Sequence, residues 1–290
     1  MNYSKCLQQS RWKNRRLARG RYENFMVTSF LLPRRLHQPF YDIYSFCRTA
    51  DDIADESCSP QEALDELKSI ERDLIATFDI SFKMVEPERL LFVALADTVH
   101  RFRLRPEPFF DLLKAFRQDQ VKGDYRTEKE LLGYCEWSAN PVGRILLQLI
   151  DADSNEAVRL SDSICTGLQL VNFLQGVAED LDKGRIYLPM DQRSQFGVDL
   201  MNLKDIQSQL ALQQLIQHRC NDAKNYFEKG KRLKEHVPKW FSPTVRLIID
   251  GGVEAIRAIE EKNYDVLSVT PKVSKAKQLW LLSRAVLGSS

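Results

Sequence analysis

No stretch of this chain approaches the roughly 20 consecutive apolar residues that cross a bilayer as a helix. Residues 1–21 lack the apolar core of a secretory leader. Six cysteines are scattered without a C-x-x-C pair, several of them in apolar helical contexts, so reduced thiols in a cytosolic protein are expected rather than a disulfide framework. The four histidines (His37, His100, His218, His236) are too dispersed for a local metal motif. A hydrolase triad, a zinc cluster, a Walker A loop and a dinucleotide fingerprint are all missing. Strand-like alternation never persists, no repeat is evident, and no break in composition asks for a second domain. With 42 basic and 40 acidic residues the net charge is only +2, which gives no reason to expect nucleic acid as a partner. What remains is a chain of 290 residues, 43% hydrophobic and 28% charged, able to bury one large core. The expected fold class is all-α: a basic tail over residues 1–20, then a single-domain helical bundle with a central cavity over residues 21–290.

The richest stretch is YDIYSFCRTADDIADE, residues 41–56. At about 100° per residue, Tyr44, Arg48, Asp51 and Asp55 fall within roughly 60° of one another. Ile43, Cys47, Ala50, Ile53 and Ala54 gather on a neighbouring face, as a core-packed helix requires. Asp51 and Asp55 stand one turn apart, and like charges at that spacing weaken a helix. A divalent cation would remove that cost, and a few hard oxygen ligands open to water suit Mg²⁺ shared with a substrate's phosphates. Arg48 would offer the same phosphates a planar fork. The plainer reading is a solvated face with Arg48 paired to Asp51 or Asp52.

A second stretch, QLVNFLQGVAED over residues 169–180, puts Gln169, Asn172, Gly176 and Asp180 within roughly 80° on another helix. Asn172 and Asp180 would make a second oxygen wall, and two walls facing across a bundle would clamp a diphosphate through metal ions.

Together the two stretches resemble the aspartate-rich motifs of the squalene/phytoene synthase family, head-to-head condensing enzymes of isoprenoid metabolism. The first motif is matched in full by Asp51-Asp-Ile-Ala-Asp55. The second, Asn-x-x-x-Asp-x-x-x-Asp followed by Gly-Arg-x-Tyr-Leu-Pro, is matched by Asn172, Asp180 and Gly184-Arg-Ile-Tyr-Leu-Pro189. Its middle aspartate is replaced by Gly176. The resemblance spans roughly residues 20 to 285 and implies an isoprenoid synthase-type helical fold with Mg²⁺ as cofactor. It implies a polyprenyl diphosphate substrate, metal held by Asp51, Asp55, Asn172 and Asp180, and diphosphate held by Arg48 and Arg185. Tyr44, Phe25, Phe30, Tyr134 and Phe173 would line the hydrocarbon side, with Ser29, Gln169, Gly176 and Tyr187 also at the substrate. NADPH is not excluded, because reducing members bind it without a Rossmann domain.

Elsewhere the chain is less informative. Residues 1–21 carry seven cations and no acid; a frayed solvated tail is the plain reading, and attraction to anionic lipid headgroups the functional one. Residues 23–32 form a mostly apolar segment ending at Pro33. Arg117 and Lys122 read slightly better as solvated side chains than as phosphate ligands. Gly143, just after Pro141, suggests a kink where the backbone approaches a neighbour. The amphipathic segment 277–287 is too short for a membrane span, so the expected protein is cytoplasmic or peripheral to the inner face of the membrane.

Within the family, Glu23-Asn-Phe, Arg48-Thr-Ala-Asp-Asp-Ile-Ala-Asp-Glu56 and Ser138-Ala-Asn-Pro-Val-Gly143 resemble the bacterial hydroxysqualene synthases of hopanoid biosynthesis. Phytoene, dehydrosqualene and presqualene diphosphate synthases more often have Ala-Gly-x-Val-Gly in the last position. The implied reaction converts presqualene diphosphate to hydroxysqualene with release of diphosphate, leaving the hydroxyl to a separate downstream enzyme. Two alternatives stay open. One is head-to-head condensation of two farnesyl diphosphates to squalene or presqualene diphosphate. The other is a catalytically impaired relative, motivated by Gly176.

Overall fold

Ser59, Thr127, Ser154 and Asp205 each precede a run of helix-forming residues, and each side-chain oxygen accepts a hydrogen bond from the backbone N–H three residues on. The distances are 3.2 Å from Glu62, 3.3 Å from Glu130, 3.3 Å from Ala157 and 3.0 Å from Ser208. These caps satisfy amides that a helix start leaves unpaired. The computed structural model describes residues 3–20, 31–79, 90–274, 276–278 and 280–281. Among them eleven α-helices follow one another: α1 (Tyr3–Gly20), α2 (Arg34–Glu56), α3 (Pro60–Phe78), α4 (Leu90–Phe102), α5 (Glu107–Asp119), α6 (Glu128–Ser138), α7 (Asn140–Leu149), α8 (Asn155–Asp182), α9 (Met190–Phe196), α10 (Ile206–Gly230) and α11 (Ser242–Glu260). Short 3₁₀ turns occupy Leu200–Asn202 and Lys231–Glu235. The described residues contain no strand, only an isolated parallel bridge between Asp124 and Ile186. None of their helices is long and apolar enough to cross a membrane.

The chain divides into two compact units. The first comprises Met1–Val121 and Arg144–Asp153. Its aromatic core centres on fully buried Phe109, which meets Phe46 at 5.5 Å and Phe78 at 5.4 Å between ring centroids, both rings inclined to it. Of the expected basic tail over residues 1–20, Tyr3–Gly20 is instead a docked helix. Cys6, Ser10, Asn14 and Ala18 form a buried row at a spacing of four, and this row packs α1 against α2 and α4. Asn14 donates to buried Asp42 (2.9 Å), which also accepts from Gln38 and Thr98 at 2.9 Å each. Three hydrogen bonds make that carboxylate tolerable in the interior, yet burial still pushes its pKa up to about 6.

The second unit comprises Lys122–Gly143 and Ser154–Ser290. Its two long helices, α8 and α10, pack along each other. Arg219 of α10 is 1% exposed and reaches Glu128 at the start of α6 (2.7 Å) and Asp222 (2.9 Å). The segment after α11 returns to α8, where Gln175 donates to the Pro271 carbonyl at 2.6 Å.

Candidate active site

The Asp51–Asp55 stripe lies on the last turns of α2, in the first unit. The end of that helix is fixed by side chains. The Ser57 hydroxyl donates to the Ile53 carbonyl (2.7 Å), and the Gln120 amide donates to the Ala54 carbonyl (2.9 Å), so two terminal carbonyls are satisfied. Exposure rises along the stripe: Tyr44 is buried, Arg48 and Asp51 are half-buried or a little more open, and Asp55 is exposed. Arg48 spreads its fork over two carboxylates, Nη1 at 3.1 Å from Asp51 and Nη2 at 2.5 Å from Asp52. The plain sequence reading of an intrahelical ion pair therefore holds, and it pre-sets a guanidinium beside the carboxylate edge. Asp51 also acts inward: burial, with its negative charge as a second cause, pushes the Cys47 thiol up to about 12.

The second stripe is carried by the C-terminal half of α8, in the second unit. Asn172 is exposed, while Gln169 and Asp180 are half-buried. A Cβ built at Gly176 would lie 3.0 Å from Oδ2 of Asp180, and the nearest atoms it would meet among the described residues all belong to Asp180. Position 176 thus points where Asp180's carboxylate lies. Glu179, already offset around the helix, turns away to Lys183 at 3.0 Å.

Beyond α8 the chain reverses through Gly184, whose φ of +71° suits a residue without Cβ. The Arg185 amide donates to the Asp180 carbonyl (2.7 Å), and the Ile186 amide to the Gly123 carbonyl (2.6 Å). The two backbones approach so closely that a Cβ at Gly123 would stand 2.5 Å from the Gly184 carbonyl oxygen. Arg193 pins this junction: Nη2 lies 2.6 Å from both carboxylate oxygens of Asp124, and Nε donates to the Leu188 carbonyl at 2.8 Å. Tyr187 is thereby delivered into a set of rings. It stacks on Phe173 at 4.1 Å and 9°, and meets Tyr125 and Tyr134 at 5.8 Å each. Tyr125, Tyr134 and Phe173 are buried. An aromatic wall therefore adjoins the turn that follows Asp180.

The first unit thus carries an oxygen-rich stripe on α2, and the second carries its own stripe on α8 with an aromatic wall beside the Gly184–Pro189 turn. The squalene/phytoene synthase model matches residues 18–277. The chain belongs to the squalene/phytoene synthase family. It is 32% identical over 222 residues to a hydroxysqualene synthase of Sinorhizobium fredii, covering 76% of this chain and 73% of the relative. It is 28% identical over 280 residues to a 15-cis-phytoene synthase of Synechococcus elongatus, covering 91% and 88%. Among solved structures, squalene synthase HpnC from Alicyclobacillus acidocaldarius superimposes with a TM-score of 0.81 at 34% identity, covering 91% of this chain and 99% of that one. The all-helical isoprenoid synthase fold is shared with these proteins.

For a squalene/phytoene synthase family member, several residues lie where the sequence did not put them. Of the expected hydrocarbon-lining residues, Tyr134 and Phe173 come together, and Tyr187, expected only at the substrate, joins them. Tyr44 is buried within α2's own unit. Phe25, Ser29 and Phe30 lie outside the described residues. Arg185 is half-buried in the turn beyond α8, which ends at Asp182. Arg117 and Lys122, expected to be solvated, are both paired. Arg117 grips Glu71 with two bonds of 2.9 and 2.8 Å, while Lys122 pairs with Glu130 and lies 4.7 Å over the Tyr125 ring. Tyr125, Asp124 and Arg193 were missed altogether. Their one signal is the Gly123-Asp-Tyr triplet, which has no helical periodicity to mark it.

Among the described residues, no group of three or more His, Cys, Asp or Glu side chains is placed to hold a metal ion. The donors on each stripe are all hard oxygens, one or two carboxylates at a time. That complement fits Mg²⁺, which keeps water and shares substrate phosphates rather than filling a protein cage.

Proposed function

We propose that this family member converts presqualene diphosphate and water to hydroxysqualene and diphosphate. The observation that carries the reading is the Ala139-Asn-Pro-Val-Gly143 segment, taken with the similarity to a hydroxysqualene synthase. That segment is built into the second unit. Asn140 is 4% exposed and accepts a hydrogen bond from Thr166 of α8 at 3.0 Å. At Gly143, a Cβ would stand 2.3 Å from the Ser161 hydroxyl oxygen and 2.7 Å from the Cys165 sulfur, so any larger residue would force both side chains to shift.

In this reading Asp51, Asp55, Asn172 and Asp180 hold Mg²⁺, and Arg48 and Arg185 bind the diphosphate. Magnesium would supply positive charge against the diphosphate as it leaves. Arginine forks serve the same anion and keep it from recombining. The carbocation needs apolar surroundings with aromatic faces and few nucleophiles, which Tyr134, Phe173 and Tyr187 supply. One water adds to the rearranged cation and loses a proton; no electrons are transferred, so NADPH is not consumed. A separate enzyme would then remove the hydroxyl. The cytoplasm is the proposed compartment.

The second reading, condensation of two farnesyl diphosphates, is favoured by the phytoene synthase similarity over 91% of the chain. Parallel incubations with Mg²⁺ and either presqualene diphosphate or farnesyl diphosphate, without NADPH, distinguish the two. Hydroxysqualene is expected; a phytoene-like product or presqualene diphosphate formed from farnesyl diphosphate would overturn the assignment.

A further inference from the structure

Helix α1 buries one face in the first unit and leaves another exposed, although Arg15 donates to Gln38 of α2 at 3.0 Å and Arg19 lies 6.0 Å over the Tyr41 ring. Cys6, Ser10, Asn14 and Ala18 are at most 2% exposed, and the Ser10 hydroxyl oxygen accepts from the Ala94 amide at 3.1 Å. The helix is therefore already ordered, and binding through its other face would cost little conformational entropy. On that other face Lys5, Trp12, Arg16 and Arg19 fall within roughly 60°, with Lys13 and Arg15 on its flanks. All six are exposed, and residues 3–20 contain no acid. Trp12 keeps 57% of its surface, with the Arg16 guanidinium 5.4 Å from its ring centroid.

We propose that this face docks on an anionic phospholipid bilayer. The charge is complementary: five of the six cations of α1 lie on this face or its flanks, in a chain whose net charge is only +2. Trp12 supplies the second element, an apolar body with a polar N–H, the kind of side chain that settles at a headgroup boundary. Single-stranded nucleic acid would need an open ring face to stack a base. Arg16 already covers a face of Trp12, which favours the bilayer. The surface is set by charge and does not depend on which prenyl substrate the protein takes.

The test is co-sedimentation of the full chain with vesicles of phosphatidylcholine alone and of phosphatidylcholine mixed with phosphatidylglycerol. Binding to the mixed vesicles only, weakening as salt rises, is expected. Each cation near such a surface contributes about fivefold in partitioning, so Lys13→Glu/Arg16→Glu should lower it by at least roughly tenfold. Trp12→Ala should lower it as well. Both variants change exposed side chains, and an unchanged melting curve establishes that they fold. Equal binding of the double variant and the parent would overturn the proposal. So would equal binding to neutral vesicles, or binding to single-stranded RNA with none to the mixed vesicles.

Discussion

Asp180 and Gly176 share one space: the Asp180 carboxylate lies where a side chain at 176 would enter, with Oδ2 only 3.0 Å from a Cβ built there. Among the described residues, no helix crossing demands glycine at 176. The atom in the way is the end of a flexible side chain, which a small rotation moves aside. Gly176→Ala is expected to stabilise the protein by about 0.5–1 kcal/mol, the usual helix-interior difference, and a thermal melt reads it. Gly176→Asp restores an oxygen ligand to the second stripe and should raise turnover under saturating Mg²⁺. Unchanged or reduced turnover would mean that Asp180, or another group, already fills that role.

Metal dependence is the next expectation. Asp51 and Asp55 stand on the outer end of α2, away from its buried face, so replacing them should leave the fold intact. Asp51→Asn should lower turnover roughly 100-fold, comparable to removing one preorganised stabiliser of developing charge. An unchanged circular dichroism spectrum would separate this loss from unfolding. Full activity in excess chelator would contradict the assignment of these carboxylates.

Asp42 makes stability depend on pH. Its pKa is raised from 3.8 to about 6, so the folded state holds a proton that the unfolded chain releases near pH 4. Between those values the folded state binds more protons, and stability falls as pH rises. The loss is complete above about pH 6 and amounts to roughly 3 kcal/mol. Asp42→Asn should flatten this part of the profile in urea titrations run from acid to neutral pH. A slope unchanged by the substitution would assign the dependence to another group.

Arg219 offers a test of the second unit. Its guanidinium is buried, bonded to Glu128 and Asp222 through Nη1, while Nη2 is buried without a hydrogen-bond partner. Arg219→Met would leave the two carboxylates without their shared cation, and both are partly exposed. Destabilisation of about 3 kcal/mol, the lower end for a broken buried pair, is expected in urea unfolding. A loss below about 1 kcal/mol would mean that solvent takes over those carboxylates.

Local periodicity explains what the sequence made legible. The α2 and α8 stripes follow from the 100° step alone, and the motif match at Gly184-Arg-Ile-Tyr-Leu-Pro189 singled out Tyr187. Helix α1 did not read as docked because its buried row, Cys6, Ser10, Asn14 and Ala18, is small and partly polar. Its partners, Asp42 and the start of α4, are 28 to 84 residues away in the chain. The same distance hid the Asp124–Arg193 clasp, which joins residues 69 apart. Arg117 was misread for a related reason, since Glu71 lies 46 residues away on another helix. Side chains whose role is to meet a distant partner leave no periodic trace.

In the proposed reaction a diphosphate leaves and water captures the resulting cation. Turnover of presqualene diphosphate with Mg²⁺ in oxygen-18 water tests it most directly, by mass spectrometry of the product and assay of released diphosphate. Hydroxysqualene carrying one oxygen-18, with one diphosphate released per product molecule and no NADPH added, is the predicted result. Hydroxysqualene without the label, or a hydrocarbon formed only from two prenyl diphosphates, would contradict it.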